Sequence, residues 1–264
     1  MISSERMAMV DRNAAALGVS TKQLMESSGN AVAGAVRDRA DPGDSVLLLC
    51  GRGNNGGDAM VAARFLDGFA VETVLLGRPE TIRTDVAREN WGTLVESDLP
   101  TRTVTDSREF HLDEHDPDLV VDAMLGTGVT GALREPEATV ARRLGTADVP
   151  VVSVDVPSGV DADTGTAAGT AVDADAVVTF HDEKPGLASL DCDVTVADIG
   201  VPDAAETFVG PGDLLALRRD VDSHKGDNGE VLVVGGGPYT GAPALAARAA
   251  LRAGADLVRV AGPG

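Results

Sequence analysis

Four stretches gather residue types able to handle a charged or polar ligand: GRGNNGGD at 51–58, VDAMLGTGVTG at 121–131, SVDVPSGVD at 153–161 and HDEKPG at 181–186. In the first, glycines admit close backbone approach. Asn54, Asn55 and Asp58 add two amides and a carboxylate that a tight turn does not need. Gly51, Gly53 and Gly56 also fit the G-x-G-x-x-G dinucleotide spacing. That fingerprint wants an acid about 20 residues on, at the far end of the next strand. Glu72 has about that spacing but opens the run VETVLL, whose far end, LLGRP, has no acid. A hydride-transferring dehydrogenase is therefore disfavoured, although a helix N-terminus after the glycines still favours an anion.

Asp122 lies in an apolar strand-like run, where a carboxylate needs a cap, an arginine partner or a bound cation. Asp155 ends another such run before Pro157, with the Ser158 hydroxyl close by. Asn, Asp and Ser oxygens are hard ligands, suited to a group 1 or group 2 cation and unsuited to zinc. Lys184 is a second polar candidate, with a solvated loop lysine as the equal alternative. His181 reads as structural, and His111 and His115 as part of a solvated acidic stretch, EFHLDEHDPD.

These loops need a scaffold, and the pattern supplies one. A helix capped by Ser3 or Ser4 spans 3–17. A second opens on a Ser20–Gln23 capping box and stops at DPGD, 41–44. Strands and helices then alternate: SVLLLC, a helix over DAMVAARFLDG closed by Gly68, VETVLLG, a helix over TIRTDVARENWGTLVE, DLVVDAML, a helix over EPEATVARRLG closed by Gly145, VPVVSVDV, DAVVTF and DVTVADIG. Continuous Val/Leu strands alternating with helices imply a mostly parallel sheet covered on both faces. Ligands bind such sheets outside the carboxyl ends of the strands, where the first three polar loops fall.

After DIGVPDAAETFVGPGD the pattern restarts as strand, glycine turn, helix and strand over 223–264, with VGPGD at 209–213 as a linker. A unit of this size cannot bury a sheet by itself, so the sequence reads as cut within a second domain.

Composition narrows the partners. The formal net charge is −20, and Asp outnumbers Glu by 29 to 13. Lysine occurs only at Lys22, Lys184 and Lys225. With no basic stripe to release counterions, a nucleic-acid partner is disfavoured. Short carboxylates and few lysine stems read as a halophile's surface, against the alternative of an ordinary acidic protein. Cys50 and Cys192 adjoin apolar runs and read as buried free thiols. No signal-peptide pattern and no run of about 18 apolar residues occurs, so a cytoplasmic location with no membrane contact is expected.

GRGNNGGD, VDAMLGTGVTG, VDVPSGVDADTG and TFHDEKPGL, in this order and preceded by LMESSGNAVA, resemble the NAD(P)H-hydrate epimerase family over about residues 1–210. Members interconvert the R and S epimers of hydrated NADH and NADPH. The resemblance implies a three-layer α/β/α Rossmann-like sandwich, a homodimer or higher oligomer, and bound potassium. Carried over by motif, it implies that Asn54, Asn55, Gly56, Gly57 and Asp58 line the hydrate site. Gly126, Thr127, Gly128, Val129, Thr130, Gly131 and Ala132 would wrap the substrate's phosphates. Asn55, Asp122 and Ser158 would hold potassium, and Asp155 would contact the substrate and carry the acid–base chemistry. An inactive scaffold of the same fold is the alternative, disfavoured by intact Asn55, Asp122, Asp155 and Ser158.

Residues 211–264 resemble the start of an ADP- or ATP-dependent NAD(P)H-hydrate dehydratase, a ribokinase-like α/β domain. Its nucleotide site and its GTGD-type motif would lie beyond residue 264, so no dehydratase activity is expected of this chain. HKGDNG is no Walker A loop, because no Ser or Thr follows Lys225. Tyr239 to Ala242 would approach substrate only in a complete domain.

Overall fold

A computed structural model describes residues 1–128, 131–219, 221–235, 237 and 241–262. The chain divides into two compact units, Met1–Gly210 and Pro211–Gly264.

The first unit opens with helices α1 (Ser4–Ala16) and α2 (Thr21–Arg37). Ser3 caps α1 through its side chain, and the Ser20–Gln23 box opens α2. Then come β1 (Ser45–Cys50), α3 (Asn54–Ala63), β2 (Ala70–Leu76), α4 (Asp85–Glu96), β3 (Thr101–Val104), β4 (Leu119–Ala123), α5 (Glu137–Leu144), β5 (Val151–Val154), β6 (Ala176–Phe180), β7 (Asp193–Ala197) and α6 (Asp203–Thr207). The seven strands form one sheet in the order β3-β2-β1-β4-β5-β6-β7, every pair parallel.

Successive side chains of β1 feed two cores. Val46, Leu48 and Cys50 join residues of α1 to α4, such as Val10, Val32, Val61 and Leu94. Leu47 and Leu49 join Phe110 and the α5 residues Val140 and Leu144 on the other face. Both faces are dry, which is why the central strands read as largely apolar runs.

Two sequence expectations are corrected. The edge strand β3, TRTV, was not anticipated. Only Val104 of its four residues is buried, so it carries no apolar run, as suits a sheet edge. The polar loops at 124–128 and 155–158 therefore follow the fourth and fifth strands, not the third and fourth. Helix α3 also begins earlier than expected, at Asn54, and ends at Ala63, well before Gly68. A Cβ on Gly56 would lie 2.1 Å from the Gly51 carbonyl oxygen, so this glycine lets the first helical turn fold back on the strand end. Likewise a Cβ on Gly51 would lie 1.7 Å from the Met124 carbonyl oxygen, where the ends of β1 and β4 meet.

The second unit holds a parallel pair, β8 (Glu230–Val234) and β9 (Leu257–Ala261), with helix α7 (Gly241–Ala253). None of the three elements contains a buried residue, and Leu232, Val234 and Leu245 are more than half exposed. No helix among the described residues is long and apolar enough to cross a membrane.

Candidate active site

The chain runs outward from β1 to β3 and then returns to β4 on the other side of β1. This reversal places the loops after β1 and β4 side by side, the arrangement that opens a crevice in α/β sheets. A cavity of about 440 Å³ lies there, and Asn54, Asn55, Asp58, Gly126, Thr127 and Gly128 are in its wall, together with Asp155.

Asp155 sits just past β5 with φ +68°, an uncommon conformation for a residue with a side chain. The hydrogen bond from its N–H to the Val178 carbonyl, 2.7 Å, fixes that bend. Its Oδ1 lies 3.0 Å from the Lys184 ammonium and accepts from Thr179 Oγ1 at 3.2 Å. Its Oδ2 accepts from the Thr127 N–H at 3.4 Å. Lys184 is 1% exposed and so is no solvated loop lysine. It donates further to the Phe180 and Asp182 carbonyls at 2.8 and 3.2 Å, so all three of its protons are placed.

Asp122 is fully buried in β4. Its Oδ1 accepts from Ser158 Oγ at 2.6 Å and from the Met124 N–H at 3.2 Å. Its Oδ2 accepts from the Ser158 N–H at 2.8 Å and from Ser153 Oγ at 2.9 Å. The cap is therefore made of serines and backbone, with no arginine. Burial pushes the carboxyl upward and these hydrogen bonds pull it back. Ser158 Oγ also accepts from the Leu125 N–H, which ties the loop after β5 to the loop after β4.

Asp58, in the first turns of α3, accepts a 2.6 Å hydrogen bond from Ser28 Oγ of α2. Burial drives its carboxyl well above the ordinary range, against that bond. Gly56 and Gly57 are buried in the same turn and do not line the cavity. Gly131 instead borders a second hollow of about 130 Å³ with Gly159 and Thr166, and Ala132 lies against Gly169. Val129 and Thr130 fall outside the described residues, as do Tyr239 and Thr240 of the second unit.

The donor set, made of oxygen atoms, suits a hard group 1 or group 2 cation. The charged residues buried in or beneath the cavity are Asp58, Asp122 and Glu137 against one ammonium, Lys184. Asn55 Nδ2 is buried with no partner, and a half-turn of the amide would present its oxygen instead. Ser158 Oγ keeps a free lone pair. Asp122 has used its lone-pair directions on protein donors, so it would contribute charge more than a coordination bond.

Other residues at the cavity had no distinctive sequence signal. Asp11 belongs to an amphipathic helix, Ser28 lies within LMESSGNAVA without standing out there, and Arg83 and Thr84 belong to no motif. Arg52 sits inside GRGNNGGD, where the amides and the carboxylate are the more conspicuous residues. His111, His115 and His181 are not among the residues of this wall. His115 is buried, stacks on Phe110 at 5.6 Å and lies 2.7 Å from Glu72, so it is no part of a solvated stretch. His181 pairs with Glu206 at 3.2 Å. Cys50 is buried, and Cys192 is only half-buried.

Desolvation in the cavity wall, and then the neighbouring Asp155, push the Asp11 carboxyl up to about 6, against Lys184 and His181. Its side chain also meets cavity water, which screens part of that effect. A carboxyl raised on folding stabilises the fold below its unfolded pKa, and that stability is lost as pH rises through the folded value. The contribution of Asp11 to stability should therefore be present near pH 4 and be lost toward about pH 6. Asp11→Asn should remove that component of the pH dependence, measured as urea midpoints across that range. An unchanged slope would refute the assignment.

The model of the family described as YjeF-related protein N-terminus matches residues 21–186. The bifunctional NAD(P)H-hydrate repair enzyme Nnr of Methanothermobacter thermautotrophicus is 49% identical over 271 residues, covering 98% of this chain and 52% of that protein. The chain thus spans about half the length of the curated relatives of that kind. An NAD(P)H-hydrate epimerase of Cenarchaeum symbiosum is 40% identical over 213 residues, covering 79% of this chain and 99% of that protein. The crystal structure of yeast ynu0, YNL200c, is similar with a TM-score of 0.64 and 27% identity, covering 74% of this chain and 86% of the yeast chain.

Proposed function

The chain belongs to the YjeF-related N-terminal family, which its relatives place among NAD(P)H-hydrate epimerases, and from that premise we propose that its first unit interconverts the R and S epimers of hydrated NADH and NADPH. The single observation that carries the reading is the Asp155–Lys184 ion pair, held at 3.0 Å in the wall of the one cavity that also presents Asn54, Asn55 and Asp58.

The chemistry follows from that pair. The hydroxyl on the hydrated ring carbon takes a proton and leaves as water, and the ring is left as a cation. Water then adds to either face of the same carbon and gives its proton back. Asp155 enters the step as the carboxylic acid, delivers its proton to the leaving hydroxyl and is left as the carboxylate whose charge stabilises the cationic ring; it recovers a proton from the water that adds. Lys184 and Thr179 hold Oδ1, so the oxygen with the longer contact, Oδ2, is the freer one to meet substrate. Backbone groups at 126–128 supply polar contacts for the rest of the dinucleotide.

Asn55, Ser158 and Asp122 would hold potassium. The ion would supply fixed positive charge beside the substrate's phosphates. Replacing NaCl with KCl at equal ionic strength should raise the thermal midpoint by a few degrees. A ligand at a hundredfold its Kd stabilises by about 2.7 kcal/mol, and equal ionic strength removes general screening of the acidic surface. Asn55→Ala should erase the difference. Identical midpoints in both salts would remove potassium from the account.

The acidic surface is read as an adaptation to high salt. Homodimerisation and a cytoplasmic location belong to the same proposal. Residues 211–264 are read as the start of an ADP- or ATP-dependent dehydratase domain.

A further inference from the structure

Two arginines at this cavity have no acidic partner. Arg52 leaves β1 just before α3, and Arg83 precedes α4; both line the cavity wall. Among the described residues neither forms an ion pair, in a chain with 42 acidic side chains. The Nε of Arg52 is buried without any acceptor, and so is the Oγ1 of Thr84.

The placement is built. Gly77 follows β2 with φ +137°, and a Cβ there would lie 2.5 Å from the Arg52 Cδ, so the missing side chain makes room for the arginine stem. The Arg83 N–H donates to the Arg52 carbonyl at 2.8 Å, which joins the two segments. Thr84 and Gly53 occupy the N-cap positions of α4 and α3, and neither makes a side-chain cap. Asp85, the acid nearest in sequence, points to solvent and is paired with Arg88 at 2.6 Å.

We propose that Arg52, Arg83 and Thr84 form a subsite for a phosphate group of the bound dinucleotide. The proposal rests on the hydrated dinucleotide being the ligand of this cavity. Guanidinium groups match phosphate oxygens through paired N–H donors. The Arg52 Nε–H and the Thr84 hydroxyl are two further donors without an acceptor among the described residues. Gly77 of LLGRP brings the Arg52 stem beside the end of β2. An acid there would bind a free ribose 2′-hydroxyl, whereas an arginine accommodates a 2′-phosphate. The subsite would therefore take either the 2′-phosphate ester or the pyrophosphate.

The test is calorimetric titration of the full chain with NADP⁺ and with NAD⁺, for wild type, Arg52→Gln and Arg83→Gln, at one fixed KCl concentration. Each variant should weaken NADP⁺ binding by about tenfold or more. An equal loss for NAD⁺ identifies the pyrophosphate as the bound group. A loss confined to NADP⁺ identifies the 2′-phosphate. Arg83 is exposed and its replacement should not disturb the fold, so it keeps the test valid if Arg52→Gln unfolds. Unchanged affinity for both dinucleotides in Arg83→Gln, or no binding of either by wild type, overturns the subsite. Binding is read without turnover, so failed epimer exchange alongside arginine-dependent binding would sink the activity and leave the subsite standing.

Discussion

Asp155→Asn should still bind the hydrated dinucleotide and should lose about 10²- to 10⁴-fold of the epimer exchange rate. The change keeps the shape of the side chain and an acceptor oxygen for Lys184 and Thr179. It removes the group that carries the proton and the charge that steadies the cationic ring. It also leaves a 1%-exposed ammonium without its counter-charge, so some stability will be lost as well. The exchange rate should therefore be compared at saturating substrate, with folding checked by near-UV circular dichroism. A rate within about threefold of wild type, against the range above, would remove Asp155 from the chemistry.

Asp122→Ala should be the most destabilising substitution at the site. It strands four donors, from Ser153, Ser158 (two) and Met124, inside a dry sheet. A buried donor left without an acceptor costs about 1–3 kcal/mol. The four are coupled, so a total on the order of 4 kcal/mol is expected, a loss large enough to point to a broken network. Asp122→Asn keeps an acceptor oxygen and should lose less. Urea unfolding of both variants provides the measurement. A loss below about 1 kcal/mol for the alanine variant, the least that one stranded donor costs, would mean that the network does not hold the loops after β4 and β5 together.

Both expectations trace to features that were unequally visible in the sequence. The sheet was legible because β1, β4, β5 and β6 are buried on both faces and so are mostly apolar, interrupted inside by single polar residues such as Asp122, Ser153 and Thr179. β3 was hidden because an edge strand of Thr and Arg has no such signature. Asp122 and Asp155 stood out as carboxylates in apolar surroundings. What surrounded them did not. The serine cap of Asp122 brings together residues 31 and 36 positions away. Lys184 reaches Asp155 only because β6 returns the chain beside β5. Asp11 and Arg83 needed the folded wall to acquire meaning at all. The motif GRGNNGGD was conspicuous, but its division was not: Gly51 and Gly56 serve backbone packing, Asn54, Asn55 and Asp58 face or border the cavity, and Arg52 crosses the end of β2.

The most direct test is epimer exchange itself. Purified R-hydrate of NADPH is incubated with the folded chain in KCl, and the S-hydrate is followed by chromatography against the spontaneous rate without protein. The account predicts clear acceleration by wild type that Asp155→Asn abolishes. Exchange at the spontaneous rate, with protein shown to be folded and to bind the dinucleotide, would contradict it.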